Sequence, residues 1–545
     1  MSGPIQRISG NIVDVLHSTI YPGTIEVREG RIASIERDRK SYQTFILPGL
    51  IDAHVHIESS MLVPSEFARL AVAHGTVATV SDPHEIANVL GIDGVNYMIE
   101  NGKTTPLKFY FGAPSCVPAT PFETSGARIG PEEVDVLLKS PDIHYLAEMM
   151  NFPGVINGDP EVMAKIALAA KYGKPVDGHA PGLKGADLER YVAAGISTDH
   201  ETLTREEALE KIGLGMKIMI REGSAAKDFD TFVGLIEEYP DQCMFCSDDR
   251  HPDDLVAGHI NDLVRRALAR GIDRMKVLRC ACVNPVRHYR LDVGLLQEGC
   301  HADFIEVDSF EDFNVLRTFI DDRVVAEGGR TLLPHGAARL VNNFKARKKR
   351  ASDFAVKVEG DSLRVIQALD GQLFTDSLSL PPKVSAGNVI ADTERDVLKI
   401  TVVNRYQDAP PAVGFVRGFG LRRGAVASSV AHDSHNIIAV GVTDDDICRA
   451  VNLVIEHRGG MAAVSEDMHS ILPLPIAGIM TDQDGFEVAR RYSELTRLAR
   501  QLGSTLAAPF MTLSFMALPV IPRLKLTDKG LFDGDRFEFA RLFLR

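Results

Sequence analysis

Short apolar runs alternate with amphipathic stretches over the first half of the chain, and this alternation restricts the possible folds more than any other feature. Each run has the length of a buried strand, and each intervening stretch has the apolar spacing of a helix packed on one face. Alternation of this kind is typical of a parallel sheet or barrel. Eight strand candidates end near His54, Ser81, Gly112, Glu148, His179, His200, Arg221 and Asp248.

The number and length of these units favour a barrel. Helical stretches lie between the strand candidates, for example Pro64–His74, Pro160–Lys171 and Asp253–Arg270. Eight strand–helix units over roughly 240 residues suit a (β/α)8 barrel, whose typical size is about 250 residues. A doubly wound open sheet is the alternative. We therefore expect a TIM-type barrel over residues 47–289.

The regions on either side of the barrel are patterned as short strands. Runs that alternate or nearly alternate occur at Ile12–Val15, Thr24–Val27, Arg31–Ile35, Ala302–Val307 and Arg323–Ala326. Gly and Pro turns separate the first three of these runs. One small β-domain assembled from residues 1–46 and 290–345 explains this similarity.

A third domain follows the basic run from Lys345 to Arg350. Such a run suits a solvated linker between domains better than a nucleic-acid patch. Beyond it, residues 351–545 mix strands such as Val397–Val403 with helices such as Asp444–His457. This pattern predicts an α+β domain.

Charge and cysteine usage exclude several classes of protein. The net charge of −14 argues against a nucleic-acid binder, which carries a basic face. Seven cysteines, an odd number in a long chain, do not indicate a disulfide framework and favour a reducing compartment. The N-terminus lacks a basic-then-apolar signal pattern, and no run of about 18 apolar residues suggests a membrane span. We expect a cytoplasmic protein without nucleic-acid or membrane partners.

Metal-ligand residue types follow several of the strand candidates. His54 and His56 point the same way because side chains two apart in a strand share a face. That pair alone is weak evidence for a metal. Four further strands end on ligand-type residues, namely Glu148, His179, His200 and Asp248. In a barrel the carboxyl ends of the strands meet at one mouth, so four histidines and two carboxylates converge, a set that suits two divalent ions.

The segments that carry these residues resemble a known family. Leu47–His56 resembles the first barrel strand of the amidohydrolase superfamily, and a β-sandwich built from both flanks of the barrel is typical of that superfamily. Within it, the chain resembles the bacterial adenine deaminases over nearly its whole length. The matching segments are HVHIESSM, Ser81–Gly91, Ser115–Thr124, Ala147–Ile156, Asp177–Leu183, DHET, Ile220–Lys227, Cys246–Leu255, GFVRGFGL, Ala431–Gly441 and Leu472–Met480.

This resemblance implies a particular metal centre. The implied ligands are His54, His56, Glu148, His179, His200 and Asp248. Many relatives bridge two metals with a carboxylated lysine on strand four; here Glu148 takes that position and is expected to bridge. We expect two divalent ions per chain. Carboxylate and imidazole ligands admit Fe, Mn and Zn, and the resemblance favours Mn or Fe.

The resemblance also implies a reaction, the hydrolytic deamination of adenine to hypoxanthine and ammonia in purine salvage. A hydroxide held between the two metals attacks C6. Asp248 is the expected proton acceptor, Glu85 the second acid–base group, and His84 an assisting or more distant residue. The alternative for Glu85 is a glutamate that merely suits the start of a helix.

Substrate contacts are expected from the last two strands. Arg221, Glu222 and Ser224 close strand seven, and Asp249 with Arg250 follows strand eight. Polar contacts at such positions discriminate strongly, because a wrong base leaves buried groups unpaired.

Two alternative functions remain. A binuclear centre of the same type could act on a different aminopurine or on a cyclic amide. A catalytically inactive barrel that serves as a scaffold is the other alternative, but such a protein would lack metal ligands that this chain keeps. We further expect a homodimer.

One segment near the end of the chain admits two interpretations. His432–Asn436 holds histidine, aspartate and serine side by side, and adjacent residues rarely converge as a catalytic triad. The segment either forms a lid or wall at the barrel mouth, with or without an extra metal, or has a purely structural role in the C-terminal domain.

Overall fold

The computed structural model describes residues 6–544, so the first five residues and Arg545 of the expected outer domains lie outside it.

Eight short parallel strands occupy the central part of the chain. The last residue of each strand lies within two residues of the strand end predicted from the sequence. Their bounds are Leu50–Val55, Thr76–Ser81, Lys108–Ala113, Ile143–Met149, Val176–Gly178, Thr198–Asp199, Lys217–Arg221 and Cys243–Cys246.

These strands close into a barrel. The first five form one parallel sheet in chain order, and the last three form a second. A parallel bridge between Val176 and Ile196 joins the two sheets on one side, and a bridge between Val55 and Asp248 joins them on the other. Across the second joint, the Asp248 N–H donates to the His54 carbonyl at 3.0 Å. The predicted barrel is therefore confirmed over the open sheet.

Helices surround the barrel and fill the connections between its strands. Proline or an N-cap carboxylate starts several of them; Asp159, for example, accepts hydrogen bonds from the N–H groups of Glu161 and Val162. The α-helices are Pro64–Ala71, His84–Leu90, Ile92–Gly102, Pro131–Lys139, Phe152–Asn157, Pro160–Lys171, Gly185–Ala193, Arg205–Gly213, Phe229–Phe232, Leu235–Glu238, Pro252–Ala257, Ile260–Ala269, Arg274–Leu278 and Asn284–Tyr289.

The helix predicted over Asp253–Arg270 is two helices, Pro252–Ala257 and Ile260–Ala269. At the break, His259 turns inward, where its Nε2 lies 2.9 Å from the carboxylate of Asp52. Asp52 is fully buried in the first barrel strand, so its charge needs this partner. The need to pair a buried carboxylate explains why a continuous helical pattern is interrupted.

Both flanks of the barrel contribute to one eight-stranded sheet, as predicted. In spatial order its strands are Arg330–Thr331, Arg323–Glu327, Val315–Ile320, Phe304–Val307, Phe45–Pro48, Gln6–Asp14, Thr19–Arg28 and Arg31–Arg37. The sheet curls over, so that strand Arg31–Arg37 approaches the segment before Phe304–Val307, where Ile32 N–H donates to the Cys300 carbonyl at 2.9 Å. Side chains from both flanks, such as Ile12 and Phe304, share one apolar cluster.

The C-terminal domain is α+β, as predicted. Its largest sheet contains the strands Thr375–Leu380, Ser362–Ala368, Ala412–Arg417, Val397–Val403, Ile437–Gly441, Ala425–Ser428, Gly460–Ser465 and Met468–Pro473, with Phe543–Leu544 beside Ser362–Ala368. Two three-stranded sheets comprise Val356–Lys357, Asn388–Ile390 and Lys383–Ser385, and Leu524–Thr527, Gly530–Asp533 and Glu538–Phe539. The helices are Asp444–Glu456, Gly485–Gln501 and Pro509–Phe515.

The basic run before this domain lies along its surface. Lys345 N–H donates to the Arg405 carbonyl at 2.7 Å, and Lys349 Nζ lies 2.9 Å from Asp408. Lys348 pairs with Glu456 at 2.8 Å. These contacts bind the segment to one domain, and its charge is neutralised locally by acidic neighbours.

The C-terminal domain packs directly against the barrel near its mouth. Helix Gly485–Gln501 lies on helix Pro252–Ala257, where His251 Nδ1 and the Tyr492 hydroxyl are 2.5 Å apart. Nearby, Arg69 of the barrel pairs with Asp484 at 2.7 Å. Within residues 6–544, no helix combines the length and apolar character needed to cross a membrane.

Candidate metal centre and active site

The six predicted ligands converge at the carboxyl ends of the barrel strands. Five of these side chains are nearly inaccessible to solvent, and His179 is only partly exposed. Their order around the mouth follows the order of the strands that carry them. The set comprises His54, His56, Glu148, His179, His200 and Asp248.

The first strand and the eighth form one half of the cluster. The Nε2 atoms of His54 and His56 are 3.2 Å apart, an approach that follows from their shared strand face. Asp248 Oδ1 lies 3.6 Å from His54 Nε2 and 3.2 Å from His56 Nε2. Two imidazole nitrogens and a carboxylate oxygen thus converge on one point.

Glu148, at the end of the fourth strand, joins this half to the other. Its Oε1 lies 3.2 Å from His56 Nε2. Its Oε2 lies 2.7 Å from His179 Nδ1 and 3.1 Å from His200 Nε2. One carboxylate therefore contacts both groups of histidines, as a bridging ligand does.

The donor set fits divalent transition-metal ions. Imidazole with carboxylate suits Fe, Mn and Zn. The ligand atoms form overlapping groups of three or four, each within 4.8 Å, and burying such groups is costly without a cation. Although burial opposes ionisation, hydrogen bonds from His54 and His56 hold the pKa of Asp248 well below its usual range. The carboxylate is therefore available as an anionic ligand.

Buried charge pairs hold the strand ends in place around the centre. Lys211 Nζ is completely buried and lies 3.0 Å from Asp199, the residue before His200. The same ammonium donates to the Ala180 carbonyl at 3.0 Å, next to His179. One lysine thus orders the ends of strands five and six, in the manner of the outer partners that orient metal ligands.

Asp82 and His84 lie beside Glu148, and the role of Asp82 was missed in the sequence. His84 Nδ1 is 3.2 Å from Asp82 Oδ2 and 3.4 Å from Glu148 Oε1. Asp82 directly follows the second strand. This position at a strand end is the sequence feature that could have identified it as a candidate. Its position places one more buried carboxylate against the cluster.

Glu85 is buried above this group and contacts the C-terminal domain. Its Oε1 lies 3.5 Å from His84 Nε2 and also contacts His432 Nδ1, while its Oε2 lies 2.5 Å from His435 Nε2. The segment His432–His435 therefore forms a wall of the site, which was one of the two interpretations from the sequence. No pattern in the sequence pairs residues so distant from each other.

Arg221 lies at the centre of a buried charge network. Its guanidinium contacts Glu201, lies 2.8 Å from Asp228, and donates to Asp248 Oδ2 at 2.9 Å. Three carboxylates therefore share this cation, and one of them is a metal-ligand candidate. Glu201, next to His200 in the DHET segment, was also missed in the sequence.

The other predicted substrate-contact residues lie at different distances from the cluster. Asp249 accepts a hydrogen bond from the Ser59 hydroxyl at 2.5 Å, and burial together with Asp248 raises its pKa. The remaining side chains have partners elsewhere. Glu222 pairs with Arg266 at 2.6 Å, Ser224 donates to Asp254 at 2.5 Å, and Arg250 donates to the Glu222 carbonyl at 2.8 Å. Their purine contacts stay a prediction.

A cavity of about 270 Å³ lies beside this site, between the barrel and the C-terminal domain. The barrel contributes His179, Glu201 and Arg221 to its lining, and the C-terminal domain contributes Phe374 and Ile521. Because His179 lies in its wall, the cavity borders the cluster.

The closed barrel, the flanking β-domain and this ligand set define the amidohydrolase class, and the sequence comparisons agree. The amidohydrolase family matches residues 45–325, and the adenine deaminase C-terminal domain matches residues 372–538. An adenine deaminase from Salinibacter ruber is 58% identical over 98% of this chain and 99% of its own. An adenine deaminase from Sulfurovum sp. is 58% identical over 98% of this chain and 99% of its own. One from Methanosarcina barkeri is 54% identical over 99% of this chain and 100% of its own. The chain belongs to the adenine deaminase family.

Proposed function

We propose that this protein is an enzyme that hydrolyses adenine to hypoxanthine and ammonia. Its family membership supports the substrate and the reaction. The observation that carries the chemistry is the position of Glu148, whose two carboxylate oxygens face two separate groups of histidines. This is the arrangement expected of a binuclear amidohydrolase centre.

Six residues of this chain would hold two divalent ions. His54, His56 and Asp248 form one group, His179 and His200 form the other, and Glu148 lies between them. The donor set admits Mn, Fe and Zn, and the family resemblance favours Mn or Fe. When bound, such ions supply Lewis acidity that makes water a competent nucleophile near neutral pH.

The reaction requires two proton transfers that the chain's own residues can perform. Adenine and water give hypoxanthine and ammonia; the water oxygen bonds to C6 and the C6–NH₂ bond breaks. One water proton ends on ring nitrogen N1 and the other leaves with the ammonia. Asp248 and Glu85 are the proposed proton carriers, since both are buried carboxylates at the cluster.

Asp248 is oriented for this role by Arg221. The guanidinium donates to Oδ2 at 2.9 Å, which leaves Oδ1 facing His54 and His56. Asp249, held by Ser59, is the proposed contact for the purine edge nearest to strand eight. A buried carboxylate there selects a substrate that donates a hydrogen bond to it.

The test is an assay of purified, Mn-reconstituted protein with adenine, in which hypoxanthine is followed by absorbance and ammonia by a coupled assay. We expect equimolar release of both products. No turnover, with about two metal ions per chain confirmed by elemental analysis, would refute the proposal. Turnover of another aminopurine or of a dihydroorotate-like cyclic amide in place of adenine would identify the alternative substrate class.

A further inference from the structure

We propose that the C-terminal domain supplies part of the catalytic machinery, with His432 and His435 acting as positioning residues that fix the carboxylate of Glu85. The inference rests on the proposed function, because the proton-carrying role of Glu85 belongs to it. It extends that function by giving the third domain a direct part in the reaction.

Both oxygens of Glu85 are engaged from the other domain. His432 Nδ1 contacts Oε1, and His435 Nε2 lies 2.5 Å from Oε2. A carboxylate held at both oxygens cannot rotate about its terminal bond, so the directions of its free lone pairs are set. Misplacement of a reacting group by about 1 Å can cost on the order of 10²-fold in rate.

The geometry also determines which nitrogen of His435 carries the proton. Ala431 N–H donates to His435 Nδ1 at 3.3 Å, so Nδ1 is an acceptor. The proton of a neutral ring therefore lies on Nε2, which donates to Glu85. Burial lowers the pKa of His435, in agreement with a neutral imidazole that accepts at Nδ1 and donates to Glu85 from Nε2.

His432 contributes charge as well as orientation. Its ring stacks on Phe515, with 4.6 Å between centroids and 20° between planes. Burial alone lowers its pKa, but the facing Glu85 outweighs this and the pKa is raised to about 9. An imidazolium at this position balances the buried anion of Glu85, which has an exposed fraction of only 2%.

The segment that carries both histidines is held firmly from two sides. The Tyr406 hydroxyl donates to the Ser434 carbonyl at 2.6 Å, and Arg405 Nη1 donates to the His435 carbonyl at 3.2 Å. Asn436 Nδ2 reaches the barrel, where it donates to the Thr124 carbonyl at 2.8 Å. The donors to Glu85 are thus preorganised, which is the requirement for a positioning role.

His84 lies between Glu85 and the cluster of ligand candidates. His84 lies 3.5 Å from Glu85 Oε1 and 3.4 Å from Glu148 Oε1. A displacement of Glu85 is therefore felt at the reacting centre, whereas the six ligand candidates keep their own contacts. This predicts a loss of turnover without a loss of metal.

The experiment compares variants that keep or remove each donor in the metal-loaded, full-length protein. His435→Gln retains an N–H near the Nε2 position and His432→Asn retains one near Nδ1; His435→Leu and His432→Ala remove them. For the last two we expect kcat to fall on the order of 10²-fold, with KM within about threefold and metal content unchanged. The conservative pair should stay within about tenfold of wild type, and added imidazole should partly restore His432→Ala.

A double-mutant cycle tests whether the histidines act through Glu85. In a Glu85→Gln background, His435→Leu should cause little further loss, because groups that act as a unit are not additive. His469→Ala is the matched control, since His469 is exposed in the same domain, and it should be silent.

Two results overturn the inference. One is full kcat in both His435→Leu and His432→Ala; the other is an equal loss in His435→Gln and His435→Leu, which makes the donor irrelevant. Should removal of a donor prevent folding, the conservative pair and the Glu85→Gln cycle with His435→Gln still decide. Wild-type protein that is inactive on adenine refutes the proposed function instead, so the two failures are distinguishable.

Discussion

Glu148 Oε1 lies 3.2 Å from His56 Nε2, so the end of the fourth barrel strand meets the end of the first. Because the other oxygen of Glu148 faces His179 and His200, this carboxylate contacts both halves of the cluster. Replacement of Glu148 should therefore disturb both proposed metal positions at once.

The variant Glu148→Gln keeps the size of the side chain and removes its charge. We expect metal content to fall by at least about one ion per chain and kcat/KM to fall by on the order of 10²-fold or more. Elemental analysis and the adenine assay measure the two effects. Unchanged metal content would contradict the bridging role.

His179→Ala tests the second half of the cluster. It removes one of the two imidazoles that face Glu148 Oε2, so metal and activity should be lost together. The matched control is His144→Ala on the same strand as Glu148, because His144 packs edge-to-face on Tyr110 away from the cluster. The control should keep both metal and turnover; a parallel loss in the two variants would count against specific ligation.

Arg221→Ala should reduce stability as well as activity. The guanidinium is shared by Glu201, Asp228 and Asp248, and its removal leaves two buried carboxylates and the partly exposed Asp228 without their cation. Breaking a buried pair in this way costs about 3–5 kcal/mol. Denaturant unfolding measures the loss, and Arg270→Ala, on an exposed pair with Asp230, should cost under about 1 kcal/mol. A loss of activity with unchanged stability would point to a substrate contact alone.

Lys525 should make the stability of the protein depend on pH above neutrality. Burial lowers its pKa to about 7, and its Nζ donates only to the carbonyls of Leu373 and Phe515. Between about pH 7 and pH 10.5 the unfolded chain binds a proton that the folded chain does not, so stability rises with pH. The gain is complete above about pH 10.5 and is lost progressively as pH falls to the folded pKa of about 7.

Thermal unfolding of Lys525→Met over pH 6.5–10 checks this. With about 1.4 kcal/mol per pKa unit, the wild type should gain a few kcal/mol that the variant does not. Lys529→Met, which alters an exposed lysine of the same hairpin, should follow the wild type. Parallel pH curves for wild type and Lys525→Met would contradict the prediction.

The barrel and its ligands were predictable because local rules govern them. Strand periodicity places His54 and His56 on one face, and the parallel topology brings Glu148 and Asp248 to the same mouth. Each step needs only the residues of one strand and the direction in which the strands run. The structure accordingly keeps every predicted ligand in the cluster.

Loop residues after the strands were harder to assign, since their direction depends on what packs against them. Glu222 and Ser224 follow strand seven closely, yet they pair with Arg266 and Asp254. Asp249 follows strand eight and faces Ser59 near the cluster. Proximity in sequence to a strand end does not distinguish these outcomes.

The sequence by itself therefore predicted the order of the domains, a barrel in preference to an open sheet, and the six ligand candidates. The tertiary structure alone decided that Glu85 is held between His432 and His435 and that the C-terminal domain walls the site. The physical reason is the separation along the sequence over which each rule acts. Periodicity and strand direction act within a few residues, whereas this contact joins two domains through the packing of surfaces far apart in the chain. No local pattern encodes how two such surfaces meet.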